Sequence, residues 1–304
     1  MKSSSIKTKK RNNLIFYVCL LIWPLAQFSV FYVGVHTNSI LLAFKTSSRL
    51  ATGAIVYKWS GFGNFKDIWY TIVNSPAIRI SLKNSAIHFA VVNLFAWSIQ
   101  HFVPYYIYKK KFGHRVFKII LFLPSVISSV VIVSLFKYFV DGVIPDALNS
   151  IFGTKYGGFI WGKNSFWWIL FYGIWHGFGG GMLMMVGTMS RISESIVESA
   201  QIDGANLLQE YFRITLPMIW PTFSVFTVVS ISGFFTNQMD LFTFFDSRAP
   251  SDSWVVGYYF FRELNTQGQN RYPYLAAMGL VMTAVAAPLT FLTRYLLNKL
   301  GPST

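Results

Sequence analysis

Hydrophobic and polar residues are segregated into long blocks along this chain. Six apolar runs fall near 14–35, 85–103, 119–140, 166–189, 218–239 and 274–297. Each is close to the roughly twenty residues a helix needs to cross a bilayer core. No Asp, Glu, Lys or Arg occupies the centre of any run; Lys137 and Arg294 sit near run ends, where a long side chain can snorkel to the interface. Pro24, Pro124 and Pro288 lie inside runs and are expected to kink their helices rather than end them. The pattern predicts an all-α polytopic membrane protein with six transmembrane helices. In this division 1–13 is a basic tail, 14–35 a first anchor, 36–84 a long external segment, 85–297 a core of five spans and 298–304 a second tail. Between the fourth and fifth spans lies one polar island, 191–217, expected to form a helix–turn–helix loop.

Composition narrows the class. Of 304 residues 53% are hydrophobic and 12% charged, with mean hydropathy +0.45. Soluble domains carry about 25% charged residues, so a soluble protein is excluded. The net charge of +15 would suggest nucleic acid in a soluble chain. Here basic residues flank apolar spans and meet anionic membrane lipids, and no nucleic-acid partner is expected. The one cysteine, Cys19, permits neither an intrachain disulfide nor a cysteine-based metal site. The five histidines show no metal-binding spacing, so no metal is expected. The first run follows a basic start but is too long for a signal-peptide core and lacks a small-residue cleavage site, so it reads as a retained anchor.

Orientation follows lysine and arginine in short loops. Lys2, Lys7, Lys9, Lys10 and Arg11 precede the first run; Lys109, Lys110, Lys111, Arg115 and Lys118 follow the second. Placing both clusters in the cytoplasm gives cytoplasmic termini and puts the polar island on the cytoplasmic side. Segment 36–84 is then outside, and its own basic residues count for little in a loop of that length.

The island holds Glu194, Glu198, Asp203 and Glu210, four of the eleven acidic residues. Its spacing predicts a short helix over Glu198–Asp203, a turn at Gly204, a second helix over 205–213, and Pro217 closing the unit where the fifth span begins. Glu198 and Ile202 share a face, and Ala200 and Gly204 are expected on the surface, where small residues allow close entry into a partner's groove. A glycine in the left-handed conformation ends a helix without strain.

Glu198-Ser199-Ala200-Gln201-Ile202-Asp203-Gly204-Ala205, continued by Ile214-Thr215-Leu216-Pro217, resembles the EAA loop of ATP-binding-cassette importer permeases, specifically the maltose-permease type of carbohydrate importer. Ser199 stands where that family usually has Ala, a small-for-small exchange. Trp59-Ser60-Gly61-Phe62-Gly63-Asn64-Phe65 and Ala43-Phe44-Lys45 are similar to two shorter elements of the same family. The resemblance implies a permease subunit of an importer that depends on a solute-binding protein. It implies pairing with a second homologous permease, two cytoplasmic ATPase subunits holding ATP and magnesium, an extracytoplasmic binding protein and a sugar or oligosaccharide substrate. On this reading Glu198, Ala200, Asp203, Gly204, Ala205 and Pro217 couple the loop to the ATPase. The chain lacks a G-x-x-x-x-G-K-[ST] phosphate loop, so ATP hydrolysis is expected in the partner and this chain is expected to be no enzyme.

The fourth run carries Gly173, Gly177 and Gly181 four residues apart, on one face. That stripe suits close packing against another helix, or a helix framing a cavity. Aromatic and hydrogen-bonding side chains suit sugars, so the expected substrate path comprises Tyr172, Trp175, His176 and Gly177 in the fourth run, with Ser230, Asn237 and Gln238 in the fifth, near Asp240. Polar groups at membrane depth ordinarily face a cavity or a partner. Alternatives are a permease for a non-sugar solute, a membrane-bound glycosyltransferase or a secondary transporter. The last two lack their usual marks, a D-x-D pair and buried charges within an inverted repeat.

Overall fold

The computed structural model describes residues 2–302, with side chains described from Asn13 onward except 95–97. The lysines and arginine of the basic tail therefore lie outside the described side chains. In chain order the elements are α1, continuous from Lys2–Gln27 through a π turn at Phe28–Gly34 into Val35–Ala43; β1 (Lys45–Arg49) and β2 (Ile55–Trp59); α2 (Gly63–Asn74); α3 (Pro76–Tyr108); α4 (His114–Val126) and α5 (Ser129–Phe152); α6 (Ser165–Met189); α7 (Glu194–Ile202); α8 (Leu207–Ser232); α9 (Leu241–Phe245); α10 (Val256–Gln267); and α11 (Tyr272–Leu300). Among the described residues five helices are long and apolar enough to cross a membrane, or six if α4 and α5 count as one bent span.

The chain divides into two compact units, one of residues 1–70 with 267–281, the other of 71–266 with 282–304. In the first, α1 exposes its apolar side chains all round, as expected of a helix whose solvent is lipid. The β-hairpin that follows is absent from an all-helical expectation. Its strands pair antiparallel, Lys45 opposite Trp59 and Arg49 opposite Ile55. Asn64, buried at the start of α2, anchors it by donating to the carbonyls of Ala43 at 2.8 Å and Lys45 at 2.6 Å. Phe44, Trp59, Phe62 and Phe65 cluster beside that anchor.

In the second unit α6 is the central helix, packed against α3 and α4. At one end of the spans a core of Tyr105, Met185, Met189, Ile192, Val197, Tyr211, Ile219, Phe223 and Leu297 joins α3, α6, α7, α8 and α11. Trp220 seals α8 to α11 by donating its indole N–H to the Leu297 carbonyl at 3.0 Å. At the other end the Asn84 amide donates to the carbonyls of Asp252 at 2.7 Å and Trp254 at 2.9 Å, and the Ser85 hydroxyl accepts the Val256 N–H at 2.9 Å. Each of these buried side chains has a hydrogen-bond partner, as burial demands.

Four expectations from the sequence are corrected. The second span begins at Pro76 instead of 85, because Ser75 is extended and Pro76 supplies a preset first turn. The third span is broken: Ile127 is extended, Ser128 also leaves the helical region, and α4 and α5 meet at 107°. Pro124 thus stands near a helix end instead of at a kink. The fifth span ends at Ser232, and residues 233–239 follow as turns and irregular chain. Lys137 does not snorkel; its ammonium donates to the Phe244 carbonyl at 2.9 Å and lies 6.0 Å from the Trp161 ring.

Candidate functional site: the 191–217 loop and the polar cavity

The loop begins with α7, which starts at Glu194, four residues earlier than its spacing suggested. Val197 and Ala200 turn inward, Val197 into the core below. Ala200 is therefore part of the support and not of the exposed face, a correction to the sequence reading. Glu198, Ile202, Asp203 and Gly204 are exposed, Ile202 at 85%.

The helix ends in a Schellman turn. Gly204 adopts φ +77°, its N–H donates to the Gln201 carbonyl at 3.0 Å, and the Ala205 N–H reaches the Ala200 carbonyl at 2.9 Å. Asn206 then caps the next helix at once. Its side chain accepts the Gln209 N–H at 2.9 Å while Gln209 returns the bond to the Asn206 N–H, also at 2.9 Å. No slack chain separates the two helices.

The second helix of the loop is not a separate piece. It is the first turn of α8, which runs unbroken from Leu207 through a π turn at Tyr211–Thr215. Pro217 has no N–H and its ring presses on the carbonyl four residues back. A π turn just ahead of it is one of the adjustments by which a helix carries such a proline. Pro217 therefore lies within α8 instead of closing the loop.

A contact invisible to the sequence reading joins this loop to α3. Glu210 is 1% exposed, and both its oxygens lie 2.9 Å from the Lys109 ammonium, just past the end of α3. Beside it the Tyr105 hydroxyl donates to the Leu207 carbonyl at 3.0 Å.

Along the spans from this loop lies a cavity of about 490 Å³ lined by His88, Gln100, Gly173, His176, Gly177, Asn237, Gln238 and Asp240, among others. A second, of about 280 Å³, shares Gln100 and Gly177 and adds Asn93 and Ser230. The Ser230 hydroxyl donates to the Asn93 side-chain oxygen at 2.9 Å, tying α8 to α3 across the wall. The lining mixes these polar groups with apolar side chains such as Val92, Ile174 and Phe226 and is sparsely charged: among the described residues Asp240 is its one carboxylate, and no lysine or arginine lies in either wall.

The structure brings together His176, Gly177, Ser230, Asn237 and Gln238 of the expected path. It leaves out two. Tyr172 is fully buried, stacked on His176 and edge-on to Phe136 and Phe244. Trp175 packs against Phe136 and lines neither cavity. His88, Asn93 and Gln100 were missed, although polar side chains inside an apolar run are the signal that would have found them. The glycine stripe is also resolved. A Cβ at Gly173 or Gly177 would meet nothing within 4 Å, whereas at Gly179 it would lie 2.9 Å from the Leu121 carbonyl oxygen and 3.0 Å from the Phe122 Cα. The close helix approach is at Gly179; Gly173 and Gly177 leave room for the cavity.

A polytopic helical bundle with an open polar seam and a capped helical loop at one end has the build of a membrane translocation subunit. The chain belongs to the family described as binding-protein-dependent transport system inner membrane component, whose model matches residues 93–303. It is accordingly a multi-pass prokaryotic membrane protein of a transport system that relies on a solute-binding protein. It is similar to the arabinooligosaccharides transport system permease protein AraP of Halalkalibacterium halodurans, 24% identical over 243 residues covering 76% of this chain and 75% of that protein. It is likewise similar to the probable ABC transporter permease protein YesP of Bacillus subtilis, 29% identical over 244 residues covering 77% and 74%. Among solved structures, a chain of a bacterial ABC transporter involved in import of the acidic polysaccharide alginate superposes with a TM-score of 0.78, at 22% identity over 97% of this chain and 99% of that one.

Proposed function

We propose that this chain is one of two membrane-spanning subunits of an ATP-driven importer for a neutral sugar or oligosaccharide. The observation that carries the proposal is the cavity beside α3, α6 and α8. Side-chain amides and imidazoles, which donate and accept, suit hydroxyl groups. A free carboxylate or phosphate would call for a cation, and among the described residues the cavity wall has no lysine or arginine. For a saccharide the relatives' names agree: AraP is a permease for arabinooligosaccharides and the similar solved structure belongs to an importer of alginate; the choice of a neutral one rests on the cavity wall alone.

In this reading Asn237, Gln238, Gln100 and His176 hold the passing saccharide by hydrogen bonds, and Gly173 and Gly177 keep the passage open. The 191–217 loop faces the cytoplasm, as do both termini. There the exposed Glu198–Ile202 face, with Asp203 and Gly204, docks on one of two partner ATPase subunits that hold ATP and magnesium. Ala200, Ala205 and Pro217 set the shape of that face from below. Orientation and docking both rest on the charge pattern and the loop's likeness to the family element.

The test is reconstitution with the companion permease, ATPase and binding protein in liposomes, followed by ATP-dependent uptake of labelled neutral and uronic-acid oligosaccharides. Uptake of a neutral saccharide is expected. Asn237→Ala and Gln100→Ala should each lower it by about tenfold, the worth of one buried hydrogen bond left unmade. Uptake confined to an acidic solute, or unchanged in both variants, overturns the reading.

A further inference from the structure

We propose that the Lys109–Glu210 ion pair is the link by which movement of the loop reaches the α3 wall of the cavity. The inference rests on the import reading above and names a positioning pair within it.

The geometry is specific. Both carboxylate oxygens of Glu210 accept from one ammonium at 2.9 Å, and the two side chains are 2% and 11% exposed. Such a pair gains little stability, because desolvating two charges offsets their attraction; apolar residues of similar size commonly serve as well. What the pair supplies that apolar packing lacks is a fixed register. Apolar surfaces slide past each other, whereas two short charge-assisted hydrogen bonds hold one position.

The two partners stand at informative places. Glu210 is six residues beyond Gly204, in the first turn of α8 that the capping box fuses to the loop. Lys109 continues the α3 helix, its N–H bonding to the Tyr105 carbonyl at 2.9 Å. Gln100 of the cavity wall is nine residues back, about 14 Å along the same rod at 1.5 Å per residue. The Tyr105 hydroxyl bond to Leu207 runs alongside. α8 carries Ser230 to the cavity directly; α3 is tied to the loop end by this clamp. A push on α7 therefore reaches both walls, with the pair fixing the register between them that the apolar contacts of Tyr105 and Tyr211 leave free to slip.

The experiment uses the full complex of both permeases and the ATPase in nanodiscs, in a Cys19→Ser background with Gln100→Cys as reporter. The rate at which a membrane-impermeant maleimide labels that cysteine is measured without nucleotide and with ATP trapped by vanadate. This needs no sugar. The unmodified pair should change the labelling rate by about tenfold between the two states, as a two-state shift of populations gives. K109M/E210M should assemble and keep its ATPase yet lose most of that change, and the swap K109E/E210K should restore it. A full nucleotide response in assembled K109M/E210M overturns the link. Should that variant fail to assemble, the swap decides. An assembled swap with the parental response supports the link. A swap that lacks the response, or does not assemble, makes the pair a structural requirement only and overturns it. If the ATPase fails to copurify with the unmodified chain, or its nucleotide response is absent, the import reading falls and the link falls with it.

Discussion

Gly179→Ala and Gly177→Ala differ by one methyl each, two positions apart on the same helix, yet they should part company. At Gly179 the new Cβ would lie 2.6 Å from the Ser125 hydroxyl oxygen, 2.9 Å from the Leu121 carbonyl oxygen and 3.0 Å from the Phe122 Cα. Comfortable carbon contacts begin near 3.5 Å, so α4 and α6 must separate by roughly half an ångström. Two of the three obstacles are backbone and cannot swing aside. Overpacking of this kind costs about 1–3 kcal/mol. At Gly177 and Gly173 the methyl meets nothing within 4 Å, and replacing helical glycine by alanine contributes up to ~1 kcal/mol in favour of the helix. The assay is thermal unfolding of the purified complex at a fixed scan rate, since unfolding of such assemblies is governed by rate. Gly179→Ala should lower the midpoint by several degrees, at about 2–4 °C per kcal/mol; Gly173→Ala and Gly177→Ala should leave it level or raise it. If Gly177→Ala is as damaging as Gly179→Ala, the stripe is packing surface and the cavity reading is wrong.

Other expectations follow from single contacts. Asn64→Ala removes the donor for two carbonyls, at a cost of about 1–3 kcal/mol; limited proteolysis should cut the 45–59 hairpin faster, and an unchanged rate would show the anchor to be dispensable. Glu198→Lys should abolish uptake and weaken ATPase copurification while the chain stays folded, since Glu198 is exposed; normal transport would reject docking through this face. A cysteine at Asn206 in the Cys19→Ser background should react with an impermeant thiol reagent only in opened cells, and labelling of intact cells would reverse the orientation. Trp175→Ala, which empties a contact with Phe136 outside the cavity, should lower the thermal midpoint more than it alters uptake of the surviving complex.

Much of the fold was readable because lipid imposes a simple rule: a spanning helix must be apolar for about twenty residues. The runs therefore located the helices, though not their ends. Ser75–Pro76 extends α3 upstream of the apolar run, where Arg79 and Lys83 interrupt the apolar residues. The break at Ile127–Ser128 escaped because both sides remain apolar. The hairpin escaped because Lys45–Arg49, K-T-S-S-R, shows no alternation of apolar and polar residues. In the site, polar residues near the end of the fifth run singled out Asn237 and Gln238, which line the larger cavity. Tyr172 and Trp175 pack on Phe136 instead of lining a cavity, since a ring that suits a sugar suits a packed interior equally. Lys109 and Glu210 were each visible, as members of a basic cluster and an acidic island. Their pairing spans 101 residues of sequence, which spacing cannot register.

The back-to-back caps at Gly204 and Asn206 also set a practical limit on how this chain can be cut and joined. Every residue from Asp203 to Asn206 has its N–H committed to a backbone or side-chain acceptor. One inserted residue would break one of these caps and free α7 from its fixed place against the first turn of α8. Chimeras with related subunits should therefore carry 194–232 as an indivisible cassette. Tags and reporters belong where the backbone is uncommitted, such as Gly157, which lies in an exposed irregular stretch with free space around it.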